Sequence, residues 1–150
     1  MPMMASLKKL KKLTEVPLIL LIDDPNKIPY DLAVSGSKTT SKELLSPKSL
    51  KELSAVVAGI GPFKRYIIPV NEKQEKLPAT TLIADAHAVG LLVHPYTFRN
   101  EKQYLLKDYK NDSQNEYLEF FKLGVDGVFS DFSDQAVRAK ETYRKQVNSK

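Results

Sequence analysis

The sequence predicts an α/β fold built from parallel βα units, and three observations predict it. Four apolar runs lack the every-second-residue alternation of a one-sided sheet: VPLILLI (16–22), RYIIPV (65–70), LLVHPYT (91–97) and VDGVFSDF (125–132). Such runs suit strands covered on both faces. Helical patterns lie between them, the alternation expected of parallel units. The joints are also unequal. Gly90 and Gly124 pass almost at once into the next strand, whereas the strand-to-helix joints span 23–46, 69–78 and 98–115. Loops of that length in a compact domain are usually functional. In a parallel α/β fold they all emerge at the carboxyl ends of the strands, where ligand sites form.

Each element has its own signal. LKKLKKL (7–13) repeats leucine at Leu7, Leu10 and Leu13. A short packing helix with solvated lysines is favoured over a membrane-surface or partner helix. The following PLILLI imitates a signal peptide after a basic start. The run is short, Asp23 and Asp24 stop it, and no small-residue cleavage site follows, so no targeting segment is read and the compartment stays open. No stretch is long enough to span a bilayer. SPKSLKELSAVVAG begins with Ser46 as a cap and Pro47 at the first helical position and ends near Gly59. PATTLIADAHAVG starts near Pro78 and stops at Gly90. NEYLEFFKLG stops at Gly124, and SDQAVRAKETYRKQ closes the chain with Ser133 or Asp134 as cap. Gly61, Gly90 and Gly124 recur as strand leaders about one βα unit apart. The predicted strands 16–22, 65–69, 91–97 and 125–131 are neighbours in that order, because right-handed crossovers require it.

Composition sets the outer limits. The 150 residues fit one unit, residues 1–150, with 42% apolar and 27% charged residues, so disorder is not the default. The absence of cysteine removes disulfides and thiolate metal sites. The net charge of +5 comes from scattered lysines with nearly as many acids, which reads as a solvated surface and not as a nucleic-acid interface. Three polar clusters fall at strand ends: Asp23 and Asp24; His94, Tyr96, Thr97 and Arg99; and Ser130 with Asp131.

VAGIGPFKRYIIP, AHAVGLLVHPYTFRNE and LGVDGVFSDFSDQAV, in that order and spacing, resemble three successive blocks of the glycerophosphodiester phosphodiesterases. ASLKKLKKLTEVPLILLID resembles the helix and strand before them. The resemblance covers most of residues 5–140. It implies the carboxyl-terminal half, strands five to eight, of a TIM-barrel enzyme that cuts glycerophosphodiesters into glycerol 3-phosphate and an alcohol. It also implies a divalent cation, Ca²⁺ or Mg²⁺, in the full-length enzyme, with one histidine as acid and another as base. The family's His-Arg-Gly block, Glu-x-Asp ligands, second histidine and further Glu belong to strands one to three and have no counterpart here. His87 and His94 match neither catalytic histidine, so no catalytic residue and no metal ligand is assigned in this chain. Met1 to Met4 stand where an internal start or a truncated gene would leave them. Ser130, Asp131, Phe132, Ser133 and Asp134 replace the usual Thr-Asp-Phe-Pro-Asp, and the lost proline puts that turn's rigidity in question.

The candidate substrate-binding residues are Tyr96, His94, Phe129, Arg99 and Asp131. Tyr96 stands at the family's pocket-lining aromatic position, where a flat ring packs glycerol carbons and a phenol donates to oxygen. His94, held extended by Pro95, bonds either a substrate oxygen or a loop carbonyl. Arg99 either neutralises phosphate or bridges to Glu101 or Asp131, and the bridge is favoured. Asp131 is favoured as a loop holder and Phe129 as pocket wall. Asp23 and Asp24 read as loop caps, and a ligand role for His87 is disfavoured. Two function classes follow. One is a piece of the hydrolase supplying scaffold and pocket wall. The other is a non-catalytic half barrel that pairs with another chain. Self-association through open strand edges is expected in either case.

Overall fold

A computed structural model describes residues 5–149; the methionines at the start lie outside that range. Among the described residues the α-helices and strands follow in the order α1 (Ala5–Leu13), β1 (Ile19–Ile22), α2 (Tyr30–Val34), α3 (Pro47–Ser54), β2 (Gly59–Pro62), α4 (Leu82–Ala88), β3 (Leu92–Val93), α5 (Ser113–Leu123) and α6 (Ser133–Asn148). The sheet is parallel in the order β1-β2-β3, with Ile19 opposite Gly59 and Gly59 opposite Leu92. Residues 125–131 extend it on the far side of β3. Asp126 N donates to Val93 O (3.0 Å), Phe129 N to Pro95 O (3.0 Å) and Asp131 N to Phe98 O (3.1 Å), while Phe98 and Ser130 form a parallel bridge. The α/β class and the strand polarity follow the sequence reading. The sheet is not closed.

One strand sits elsewhere than the sequence predicts. The strand is Gly59–Pro62, and residues 65–69 instead continue from a 3₁₀ turn (Lys64–Tyr66) into the buried Ile67 and Ile68. Gly61 lies inside the strand and does not lead into one. Glycine carries no β-propensity, so GIGP is silent as a strand signal, yet the packing demands it. A Cβ on Gly59 would lie 2.7 Å from the Leu92 carbonyl oxygen, and one on Gly61 would lie 2.5 Å from Leu21 Cδ2. Gly59→Ala is therefore expected to destabilise the fold by about 1–3 kcal/mol, the usual range for overpacking. A urea midpoint unchanged from wild type would contradict that contact.

The sheet is covered on one face, not two. In β1, Leu21 is 59% exposed beside Ile22 at 2%; in β3, Leu92 is 40% exposed beside Val93 at 0%. The covered face carries Ile22, Ile60 and Val93 against Leu50, Leu53, Leu82, Ile83, Ala86, Tyr117 and Phe120 from the helices. Helix α1 contributes less than its leucine spacing suggests. Leu7 packs on that core while Leu10 and Leu13 remain exposed, and Lys11 Nζ donates to Ala55 O (2.7 Å).

The helix boundaries follow their capping chemistry. Ser46 caps α3 by accepting from Ser49 N (3.4 Å), with Pro47 in the first turn. Gly124 ends α5 at φ 98°, the left-handed conformation that favours glycine. Three ends differ from expectation. Helix α3 stops at Ser54, well before Gly59, which is the first residue of β2. Helix α4 starts at Leu82, because Thr80 N donates to Ile67 O (2.8 Å) and Thr80 Oγ1 to Tyr66 O (2.6 Å), which holds 78–81 out of the helix. Neither Ser133 nor Asp134 caps α6; Phe132 occupies the cap position, and its N–H donates to Ser130 Oγ (3.0 Å).

Candidate functional site

The parallel polarity brings Asp23, Phe63, Tyr96 and residues 129–131 to the carboxyl ends of the sheet. The Tyr96 hydroxyl donates to Ile22 O (2.9 Å) and lies 3.5 Å from Asp23 Oδ1, with its ring 6.2 Å from that of Phe63. Burial, reinforced by Asp23, pushes its phenol up to about 12. The proton donor is thus committed to the backbone of β1, and what Tyr96 offers a ligand is its ring. Tyr66 makes the parallel contact one residue on, donating to Asp23 O (2.7 Å), and burial raises its phenol as well. A cavity of about 260 Å³ adjoins this end of β1, lined by Leu21, Ile22, Asp23, Ile28, Tyr30 and Leu44.

A second group gathers on the uncovered face. His94 is fixed through its backbone, whose N–H donates to Ile60 O (2.9 Å). Its imidazole lies on Gly127, where a Cβ would stand 3.1 Å from Cδ2 and 3.2 Å from Nε2, and it meets the Phe129 ring edge-on at 6.3 Å. A Cβ on Gly61 would also reach Phe129 Cε2 at 3.4 Å and His94 O at 3.3 Å. The two glycines therefore make room for three large side chains, Leu21, His94 and Phe129, on one surface. Tyr96 and Phe129 stand on adjoining segments, joined through the Phe129 N to Pro95 O bond.

Arg99 is held in its own loop. Its guanidinium contacts Glu101 Oε1 (2.8 Å) and Asp131 Oδ2 (3.4 Å) and stacks over Tyr104 at 4.3 Å. The hydrogen bond to Glu101 raises the guanidinium value further, and the same bond lowers the Glu101 carboxyl. Asp131 joins the loops after β3 and after residue 129 through that bridge. Asp24 Oδ1 accepts from Asn26 N (2.9 Å) in its own turn, and Asp23 faces Lys27 at 3.6 Å. His87 Nε2 lies 2.7 Å from Asp126 Oδ2, which also accepts from Val93 N (2.8 Å). Among the described residues no three His, Cys, Asp or Glu side chains come together as a metal ligand set.

Sequence reasoning missed the buried ion pair behind these loops. Lys64 Nζ lies 2.7 Å from Glu116 Oε1, both side chains almost wholly buried, with Arg65 Nη2 3.6 Å from Glu116 Oε2. Burial holds the Lys64 amine below the usual lysine range, against the opposing pull of Glu116. Lys64 N also donates to Tyr96 O (2.8 Å), and its ammonium stands 5.2 Å above the Phe98 ring. Phe98 stacks on Tyr117 at 5.0 Å, and the Tyr117 hydroxyl meets Ser130 Oγ at 2.6 Å. One connected set thus ties the ends of β2, β3 and residues 129–131 together. The available signal was a lysine inside the apolar GPFKRYIIP, but its partner is 52 positions away and no local spacing reveals it.

Residues 3–135 match the glycerophosphoryl diester phosphodiesterase family. The chain is 40% identical over 129 residues to the glycerophosphodiester phosphodiesterase GDPD6 of Arabidopsis thaliana, covering 85% of this chain and 33% of that protein. It is 36% identical over 98 residues to GDPDL1 (63% of this chain, 13% of that protein) and 40% identical over 87 residues to GDPDL3 (56% and 11%), both named glycerophosphodiester phosphodiesterases of the same plant. The chain spans a third or less of the length of these relatives. Among the described residues no helix is long and apolar enough to cross a membrane.

Proposed function

Because this chain belongs to the glycerophosphoryl diester phosphodiesterase family, we propose that it supplies scaffold and pocket wall to an enzyme hydrolysing glycerophosphodiesters to glycerol 3-phosphate and an alcohol. In this reading it forms the carboxyl-side half of a (β/α)₈ barrel. The observation that carries the reading is the uncovered sheet face. Leu21, Leu92, His94 and Phe129 occupy the surface that a closed barrel fills from all eight strands. At its carboxyl end, the Tyr96 ring and Phe129 form apolar wall for the glycerol carbons. His94 presents its imidazole beside them. Arg99 and Asp131 brace the rim, and Arg99 reaches a phosphate only by exchanging Glu101 or Asp131 for it.

The groups that break the phosphodiester bond lie outside these 150 residues in this reading. His87 is paired with Asp126, and His94 packs on Gly127 and Phe129, so the two do not form an acid–base couple across one substrate. The family implies a divalent cation, and the residues here do not fit one. Asp24 is committed to its own turn, Asp23 faces Lys27, and Glu116 is buried with Lys64 and Arg65.

The test is glycerol 3-phosphate release from glycerophosphocholine with Ca²⁺ or Mg²⁺. The chain alone is expected to release none. Adding a half barrel that carries the His-Arg-Gly and Glu-x-Asp blocks is expected to restore release, and Tyr96→Ala to reduce it. Metal-dependent turnover by the purified chain alone would overturn the placement of the hydrolytic groups. A second reading, a non-catalytic half barrel that pairs with another chain, rests on β1 and residues 125–131 standing at the two outer edges of the sheet among the described residues. Pairing without restored hydrolysis in the same experiment would favour it.

A further inference from the structure

The chain has six asparagines, and only Asn111 is followed two positions on by serine or threonine, in Asn111-Asp112-Ser113. Asn-x-Ser/Thr with x other than proline is the acceptor pattern for N-linked glycan, and it is productive where the asparagine stands on a surface turn. Asn111 stands on one. Lys110 (φ 54°) and Asn111 (φ 59°) are successive left-handed residues that turn the chain between the 3₁₀ turn Lys107–Tyr109 and α5, and Asn111 is exposed there.

Structure accounts for two of the three motif residues and leaves the third over. The left-handed backbone favours asparagine over most other side chains at 111. The start of α5 requires Asp112, whose Oδ1 caps the helix by accepting from Gln114 N (2.9 Å). With the cap provided by Asp112, the helix has no need of a hydroxyl at Ser113, which is the residue that completes the acceptor pattern.

We propose that Asn111 is an acceptor for an N-linked oligosaccharide. The Asn111 side-chain nitrogen forms a bond to the anomeric carbon of a lipid-diphosphate-linked oligosaccharide. The lipid diphosphate leaves with the bonding electron pair, and the amide gives up one proton. The glycan stands on the loop between β3 and α5 and projects into solvent, so it is compatible with the native packing of Tyr109 and Glu116 on either side. This inference is independent of the proposed hydrolase role.

The experiment is translation of the full chain behind a cleavable secretory leader in the presence of microsomes. Added protease confirms which molecules have been translocated. The expected result is a single upward band shift in the protected wild-type chain that endoglycosidase removes. Asn111→Gln and Ser113→Ala should abolish the shift, and Ser113→Thr should raise its occupancy. A protected wild-type chain without the shift overturns the proposal, as does a shift that persists in Asn111→Gln. The readout requires neither native folding nor activity.

Discussion

Glu116→Leu is expected to destabilise the fold by about 3–5 kcal/mol, the range for removing one partner of a buried ion pair. The leucine fills similar volume, so the loss is electrostatic: the Lys64 ammonium stays buried without its counter-charge, while the less buried Arg65 can turn toward water. The pH dependence has a definite sign. Burial already lowers the Lys64 value, and without Glu116 nothing opposes it. The unfolded chain then binds a proton that the folded chain does not, over the window between the lowered folded value and 10.5. The Lys64 contribution to the variant's stability therefore rises with pH through that window. Lys64→Met added to Glu116→Leu should recover most of the loss and remove that rise, leaving the fall near pH 10 that all variants share as the unfolded phenols of Tyr66 and Tyr96 ionise. Denaturant midpoints measured from pH 7 to 10.5 decide the matter. A single variant as stable as wild type would mean that the pair is not desolvated in solution.

Replacing Leu21, Leu92 and Phe129 together by serine should weaken self-association of the chain by roughly a thousandfold. Fully burying such a side chain is worth about 1.5–3 kcal/mol, and three at the lower figure exceed 4 kcal/mol, at 1.4 kcal/mol per factor of ten. All three are exposed on the face opposite the helices, and β1 is an edge strand of the sheet among the described residues. Sedimentation equilibrium of wild type should show dimers or larger species that the triple variant lacks. Association unchanged in the variant would move the contact to the exposed Leu10 and Leu13 of α1. A wild-type chain that is a well-folded monomer would remove the expectation of self-association altogether.

Local chemistry made much of this protein legible in the sequence. Capping at Ser46, the stop at Gly124, the alternation of apolar runs with helical patterns, and the unequal joints are set by neighbours a few residues apart. They were sufficient for the α/β class, for parallel polarity, and for placing Tyr96, His94, Phe129 and Asp131 at or near strand ends. Tertiary packing decided the rest. Strand β2 is written in glycine and proline because Leu92 and Leu21 crowd it from the adjoining strands, so its reason for being a strand lies 33 positions away at Leu92. The Tyr96 hydroxyl is taken by Ile22 O at a separation of 74 residues, and Lys64 meets Glu116 across 52. Such contacts form only after the strands are in register, when the entropy of closing the intervening loops has been overcome. For that reason short-range spacing carries no trace of them.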